Sequence, residues 1–216
     1  MKTVKLCLII LVLSGYIYAQ GKEPVMLKPP DLTRGLPVMK ALAQRASATE
    51  FDTVMLDIQD LSDLLWAANG VNRPEIGKRT AASAMNAQDI DVYVCRAEGI
   101  YLYDAKNHAL GIVCEGDHRA AVASRQQNFA NAPVFLILVS DIARFKFGED
   151  SLKLVWAAED AGIVSQNIAV FCAGVGLSTR PRAIMDQEKL RAAMKLGPTQ
   201  HLMLNHPVSK KTVGSK

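Results

Sequence analysis

The run Val134-Phe135-Leu136-Ile137-Leu138-Val139 carries no polar position, so it does not read as a strand with one wet face. Opened by Pro133, it has the pattern expected of a strand covered on both faces, and the rest of the chain has to supply that cover. Other strand-like runs lie at Asp91–Cys95, Ile100–Tyr103, Ala109–Cys114 and His201–Asn205. The second and third are joined by Asp104-Ala105-Lys106-Asn107, which is hairpin turn chemistry. Pro37 suits the first turn of a helix running to about Ala46, and Asp60 reads as the N-cap of a helix through Ala68, stopped by Asn69-Gly70. Val71 to Ala81, with Pro74 and Gly77, reads as a surface loop. Gly116-Asp117 starts a short helix that ends before Asn128. Glu149 to Ala173 is the longest helix, closed by Gly174-Val175-Gly176, and Asp186 caps a last helix to Leu196. Hairpin links, helices at both ends and no regular βαβ repeat argue an α+β fold.

The first 19 residues read as a signal peptide rather than as part of that fold. Lys2 and Lys5 precede the apolar run Leu6 to Leu13, and Ala19 offers a small residue for cleavage. The apolar span from Leu6 to Ala19 is shorter than the roughly 20 residues a spanning helix needs. Export to the periplasm with cleavage near Ala19–Gln20 is expected; an uncleaved membrane anchor is the alternative. Gln20 to Gly35, with Pro24, Pro29 and Pro30, reads as an extended lead-in, which leaves 36–216 as one domain with a sizeable core. The net charge is +4, and cleavage removes two lysines and no acid. So mild a balance argues against a nucleic-acid partner.

Cys95, Cys114 and Cys172 remain after cleavage, an odd number for an exported chain. Cys95 and Cys114 could pair if their strands are neighbours; otherwise all three are buried small hydrophobes. No CxxC occurs, and His108, His118, His201 and His206 are scattered, so no metal site is expected. Gly174-Val175-Gly176 lacks the rest of a dinucleotide fingerprint, and neither Gly-x-Ser-x-Gly nor a Walker sequence is present. Hydrolase and kinase readings have no support.

The stretch Thr80 to Asp89 sets small residues around Ser83, Asn86 and Gln88 and runs directly into a strand. Small residues let a flat ligand approach the backbone, and these polar side chains supply donors and acceptors to a heteroaromatic edge. The plainer alternative is a capped turn before a strand. Gln166 and Asn167 interrupt an apolar helix and need partners there, with neighbouring backbone the first choice. Trp66 and Trp156 read as core or interface aromatics.

Several motifs occur in an order that resembles the nitroreductase-like flavoproteins, in particular the SagB-type dehydrogenase branch, from about Leu36 to Pro207. They are Arg45-Ala46-Ser47, Leu64-Leu65-Trp66-Ala67-Ala68-Asn69-Gly70, Ala82-Ser83-Ala84, Asp160-Ala161-Gly162-Ile163-Val164-Ser165-Gln166-Asn167 and Leu202-Met203-Leu204-Asn205-His206-Pro207-Val208. The resemblance implies a central, mostly antiparallel sheet flanked by helices, in a homodimer with FMN at the interface. It further implies ping-pong hydride transfer through flavin N5, between a donor such as NAD(P)H and an electron-poor acceptor, with no catalytic side chain. Arg45 and Ser47 then match the positions holding the flavin phosphate, Lys210 and Lys211 the basic residues past the last strand, and Ser83, Asn86 and Gln88 those facing the isoalloxazine and ribityl groups. Ala46 and Thr49 stand where the family has arginines, Ala82 where it has proline and Ser209 where it has glycine. Each lost charge-assisted contact costs on the order of 1.5–3 kcal/mol. An exported binding protein that has lost tight flavin binding is therefore the alternative.

Overall fold

The computed structural model describes residues 23–211. Its strands are β1 (Val25–Met26), β2 (Val71–Arg73), β3 (Lys78–Arg79), β4 (Ile90–Arg96), β5 (Gly99–Asp104), β6 (Ala109–Glu115), β7 (Val134–Asp141), β8 (Leu177–Thr179) and β9 (Gln200–Lys210). Its helices are α1 (Val38–Gln44), α2 (Ile58–Asn69), α3 (Arg119–Ala123), α4 (Asp150–Val175) and α5 (Gln187–Met194). Seven strands form one sheet in the order β1-β6-β5-β4-β7-β9-β8, and every neighbouring pair is antiparallel. The α+β architecture expected from the sequence is the one found.

The Val134–Val139 run is fully buried within β7. Val134, Leu136 and Leu138 face α2 and α4, against Leu64, Val164 and Ile168. Phe135, Ile137 and Val139 face the opposite layer, with Val122 of α3 and Leu190 of α5. The period of two in strand side chains therefore feeds two cores from one strand, which is why no position could be polar.

Three local readings change. The cap of α2 is Asp57, whose carboxylate accepts the Asp60 amide at 2.8 Å. Asp60 sits inside the first turn, where with Asp63 it grips Arg34 of the lead-in at 2.6 and 2.8 Å. The 71–81 segment is a small hairpin of β2 and β3 rather than a plain loop, with Gly77 in the left-handed region between them. The closing strand runs on to Lys210, well past Asn205. Cys95, Cys114 and Cys172 are all unpaired, and burial pushes the Cys95 thiol up to about 12, so it stays neutral.

Asp63 is 2% exposed, so removing Arg34 leaves a buried carboxylate without its cation. Arg34→Met is expected to lower unfolding free energy by about 3 kcal/mol, read as a shift of the urea midpoint with an unchanged slope.

The leader read at residues 1–19 lies outside the described residues. Among those described, no helix is long and apolar enough to cross a membrane.

Candidate functional site

A cleft of about 450 Å³ opens where the chain leaving α1 crosses the C-terminal third of α4. That volume lies within the roughly 300–1,000 Å³ usual for small-molecule sites. Ser47 and Thr49 line one side, Ser178, Thr179 and Lys211 the other, and the methyl groups of Ala169 and Ala173 face it from α4. Small side chains on α4 make room for a flat or extended ligand, while the hydroxyls and the ammonium supply donors. Ala46 and Glu50 also line it, so the two positions without arginine, 46 and 49, fall inside the cleft itself.

Backbone and buried side chains hold this segment in place. The Ala48 amide donates to the Thr179 carbonyl at 2.9 Å, and the Asp52 amide donates to Ser209 Oγ at 3.0 Å. Ser209 is fully buried and also donates to the Lys210 carbonyl, so the serine at this position pins the 45–52 segment to the last strand. Beyond it the two lysines separate. Lys211 lines the cleft, whereas Lys210 lies 3.6 Å from the Asp57 carboxylate at the start of α2. Arg45 is exposed at the end of α1.

The polar loop lies elsewhere. Ser83 Oγ accepts the Gln88 amide at 2.9 Å, so the serine caps its own turn. Gln88 is engaged by the hairpin, donating to the Gly77 carbonyl and accepting from Arg79 Nε, both at 2.9 Å. Asn86 is left exposed. Met85, Asn86 and Gln88 all have positive φ, at 53°, 55° and 49°, which concentrates backbone strain in this one loop. Beneath it, Asp160 of α4 accepts the Ala84 amide with both oxygens at 2.9 Å. Asp160 and the nearer cleft-lining residue of α4, Ala169, are nine positions apart on one helix, or about 14 Å along its axis. Ser83, Asn86 and Gln88 do not line the cleft that Ser47 and Lys211 line.

Asp160, Asp89, Ser178 and Thr179 escaped the sequence reading. Asp160 carried a signal, an acid at the start of the apolar half of α4; Thr179 carried none, because its place depends on β8 folding beside β9. Gln166 is exposed on α4 instead of buried, and Asn167 donates at 3.3 Å to the Ala68 carbonyl of α2. His206 touches Ser165 Oγ at 2.8 Å and Thr179 Oγ1 at 3.2 Å, but it is wholly buried and held neutral by burial, with its pKa lowered to about 3. Such a Ser–His pair meets no substrate. Among the described residues no cluster of His, Cys, Asp and Glu is arranged to hold a metal ion.

An antiparallel sheet between two helical layers, with a cleft of hydroxyls, one ammonium and one carboxylate beside the longest helix, defines an α+β protein with a candidate small-molecule site. The sequence profile of the nitroreductase family matches residues 42–210, and the chain belongs to that family. A candidate nitroreductase of Methanocaldococcus jannaschii is 27% identical over 200 residues, covering 88% of this chain and 98% of that protein. A solved candidate nitroreductase from Ralstonia eutropha is 32% identical with a TM-score of 0.83, covering 90% of this chain and 92% of that one. A candidate NAD(P)H:FMN oxidoreductase from Staphylococcus epidermidis shares the fold at 13% identity, with a TM-score of 0.63 over 87% of this chain and 93% of that one.

Proposed function

We propose that the chain is an FMN-dependent oxidoreductase of the SagB-type branch, working as a homodimer in which each flavin site is shared between two copies. The separation of the cleft from the Ser83–Gln88 loop along α4 carries the reading. Ser47 and Lys211 hold the phosphate end in the cleft, with Arg45 at its rim, while the loop of the second copy meets the ring. Bound FMN supplies the hydride acceptor and donor, so the protein's task is to orient the ring and its reactants. Asn86 presents its amide to the ring edge. Ser83 and Gln88, satisfied internally, act by shaping the loop that offers it.

The exposed apolar face of α4 supports the shared site. The second half of this helix is mostly apolar, and apolar side chains left outside a monomer's core call for cover. Yet Val155 and Ile163 are 52% and 39% exposed, and Val38 and Met39 of the adjoining α1 are 62% and 74% exposed. Gly162, beside Ile163, lets another backbone come close. A small-molecule donor such as NAD(P)H and an electron-poor acceptor follow from the same reading, as does export through the 1–19 leader.

The test is the visible spectrum and size of the purified 20–216 protein after FMN is added and the excess is removed by desalting. A dimer that keeps a flavin spectrum supports the proposal. A colourless protein that fails to hold added FMN overturns it and leaves an exported binding protein, which the alanine and threonine at 46 and 49 would favour. Within a flavin-binding result, Lys211→Ala is expected to weaken FMN about tenfold, the scale of one charge-assisted contact. Lys210→Ala, directed at Asp57, should change it less than about twofold.

A further inference from the structure

Two buried carboxyl groups beneath the Ser83–Gln88 loop have no role in the reading so far. Asp160 is 2% exposed and bonds only the Ala84 amide among the described backbone groups. Asp89 is completely shielded. Its Oδ2 accepts from Ser140 Oγ, and its Oδ1 finds no donor among the described groups. The Asp89 and Asp160 side chains lie within hydrogen-bonding reach of one another. Two ionised carboxylates in such contact, shut away from water, repel strongly, and the Asp89 Oδ1 is an orphan as well. A single proton between them resolves both problems, because one carboxyl becomes a donor to the other.

The surrounding groups leave that solution in place. Arg144, just past β7, lies close enough to feel Asp89, but its guanidinium is committed to both Asp91 oxygens and to the Gln88 carbonyl. Arg79 of the hairpin bonds Gln88 and the Asn69 carbonyl. β9 contributes His201, the register partner of Ser140, and α2 contributes the neutral Asn69, whose amide goes to the Ile90 carbonyl. No cation forms an ion pair with either carboxyl among the described residues.

We propose that Asp89 and Asp160 are a positioning pair, in which one shared proton keeps Asp160 on the Ala84 amide and so sets the strained Ser83–Gln88 loop for its ligand. The functional half of this inference rests on the reading of that loop as part of the flavin site. Burial, with Asp160 beside it, raises Asp89 from the ordinary carboxylate range to about 7. The sign follows from linkage. The folded protein holds this proton more tightly than the unfolded chain does, so its stabilisation is complete below about 3.8 and is lost as pH rises through about 7. Above that range Asp89 is ionised beside Asp160, the shared proton is gone, and the loop is pushed off its support.

Carbon-13 signals of the two carboxyl groups and the nitrogen-15 signal of the Ala84 amide are followed from pH 5 to 9, with FMN affinity measured over the same range. The expected result is an Asp89 titration centred near 7, an Ala84 signal that follows it, and FMN affinity falling about tenfold between pH 6 and 8. Asp89→Asn gives Asp160 a permanent amide donor and should flatten the Ala84 profile. It should also cut the ratio of FMN affinities at the two pH values to less than about twofold. Asp160→Asn supplies the same comparison if the first variant does not fold. An Asp89 carboxyl that titrates near its ordinary 3.8, or an Ala84 signal indifferent to pH, would overturn the pair even if FMN binds. An Ala84 signal that follows the pair while FMN fails to bind at any pH supports the clamp and sinks the flavin reading instead.

Discussion

On the proposed dimer with a shared flavin site, Ile163→Glu is expected to make the protein run as a monomer and lose bound flavin, while unfolding at nearly the parent urea concentration. Ile163 is 39% exposed on the outer face of α4, away from both cores, so a glutamate there does little harm to the single copy. Paired across a two-fold axis the same residue appears twice, and each carboxylate would be buried against an apolar surface without a partner. A penalty of about 2 kcal/mol per copy weakens the dimer on the order of a thousandfold. Sedimentation and the flavin spectrum should change together, because on the proposed reading each site takes its cleft from one copy and its loop from the other. A dimer that survives the substitution would place the interface on another surface. A monomer that keeps flavin would show that the cleft suffices.

The largest loss of stability is expected for Arg182→Met, about 3–5 kcal/mol, measured by urea unfolding. Arg182 is only 6% exposed and has no carboxylate partner among the described residues; burial pulls its pKa down, with Arg180 adding to the effect. Its guanidinium instead joins elements remote in sequence. Nη1 donates to Asn205 Oδ1 at 2.7 Å and to the Val122 carbonyl at 3.2 Å. Nη2 donates to the Ala123 carbonyl and Nε to Gln126 Oε1, at 2.8 and 2.9 Å, and the group lies 5.1 Å from the Phe129 ring centre. Methionine fills much of the volume but leaves the Val122 carbonyl without its guanidinium donor and the Ala123 carbonyl with only the Gln126 amide, which is the costly half of losing a hydrogen bond. The Asn205 amide would lose its planar partner too, so Arg182→Lys should recover only part of the loss. A drop under about 1 kcal/mol would mean that water replaces the guanidinium.

Pro207 shows why element ends were harder to read than elements. A proline inside a strand normally argues an end, and the sequence reading stopped two residues earlier. Asn205 exchanges backbone hydrogen bonds with Arg182, and the period of two puts the Pro207 nitrogen on that same side. There it faces the Arg180-Pro181 gap between that bridge and β8, where no donor is needed. The two-stranded hairpin at 71–79 was hidden for a related reason: Pro74 and Gly77 mark a turn equally well in a loop or between very short strands. Asp57 and Asp60 are both good caps by composition, and the choice fell to Asp57 because Asp60 is taken by Arg34.

Local pattern alone determined that the chain is α+β, that Val134–Val139 is the doubly covered centre, and that the hairpin turns at Asp104–Asn107. Each of these depends on hydrophobic period and turn chemistry, which act between residues close in sequence. The Ser47 and Ser83 segments were legible as polar positions among small ones, by the same means and by resemblance. Only the tertiary structure decided that Lys211 and not Lys210 enters the cleft, that the 71–79 hairpin claims Gln88, and that Asp89 meets Asp160. Those outcomes depend on which side of a strand a residue falls and on contacts between segments far apart in sequence, 71 positions for Asp89 and Asp160 and 164 for Ser47 and Lys211. Burial then sets the charge of such groups, and burial is a property of the assembled layers rather than of any stretch of chain.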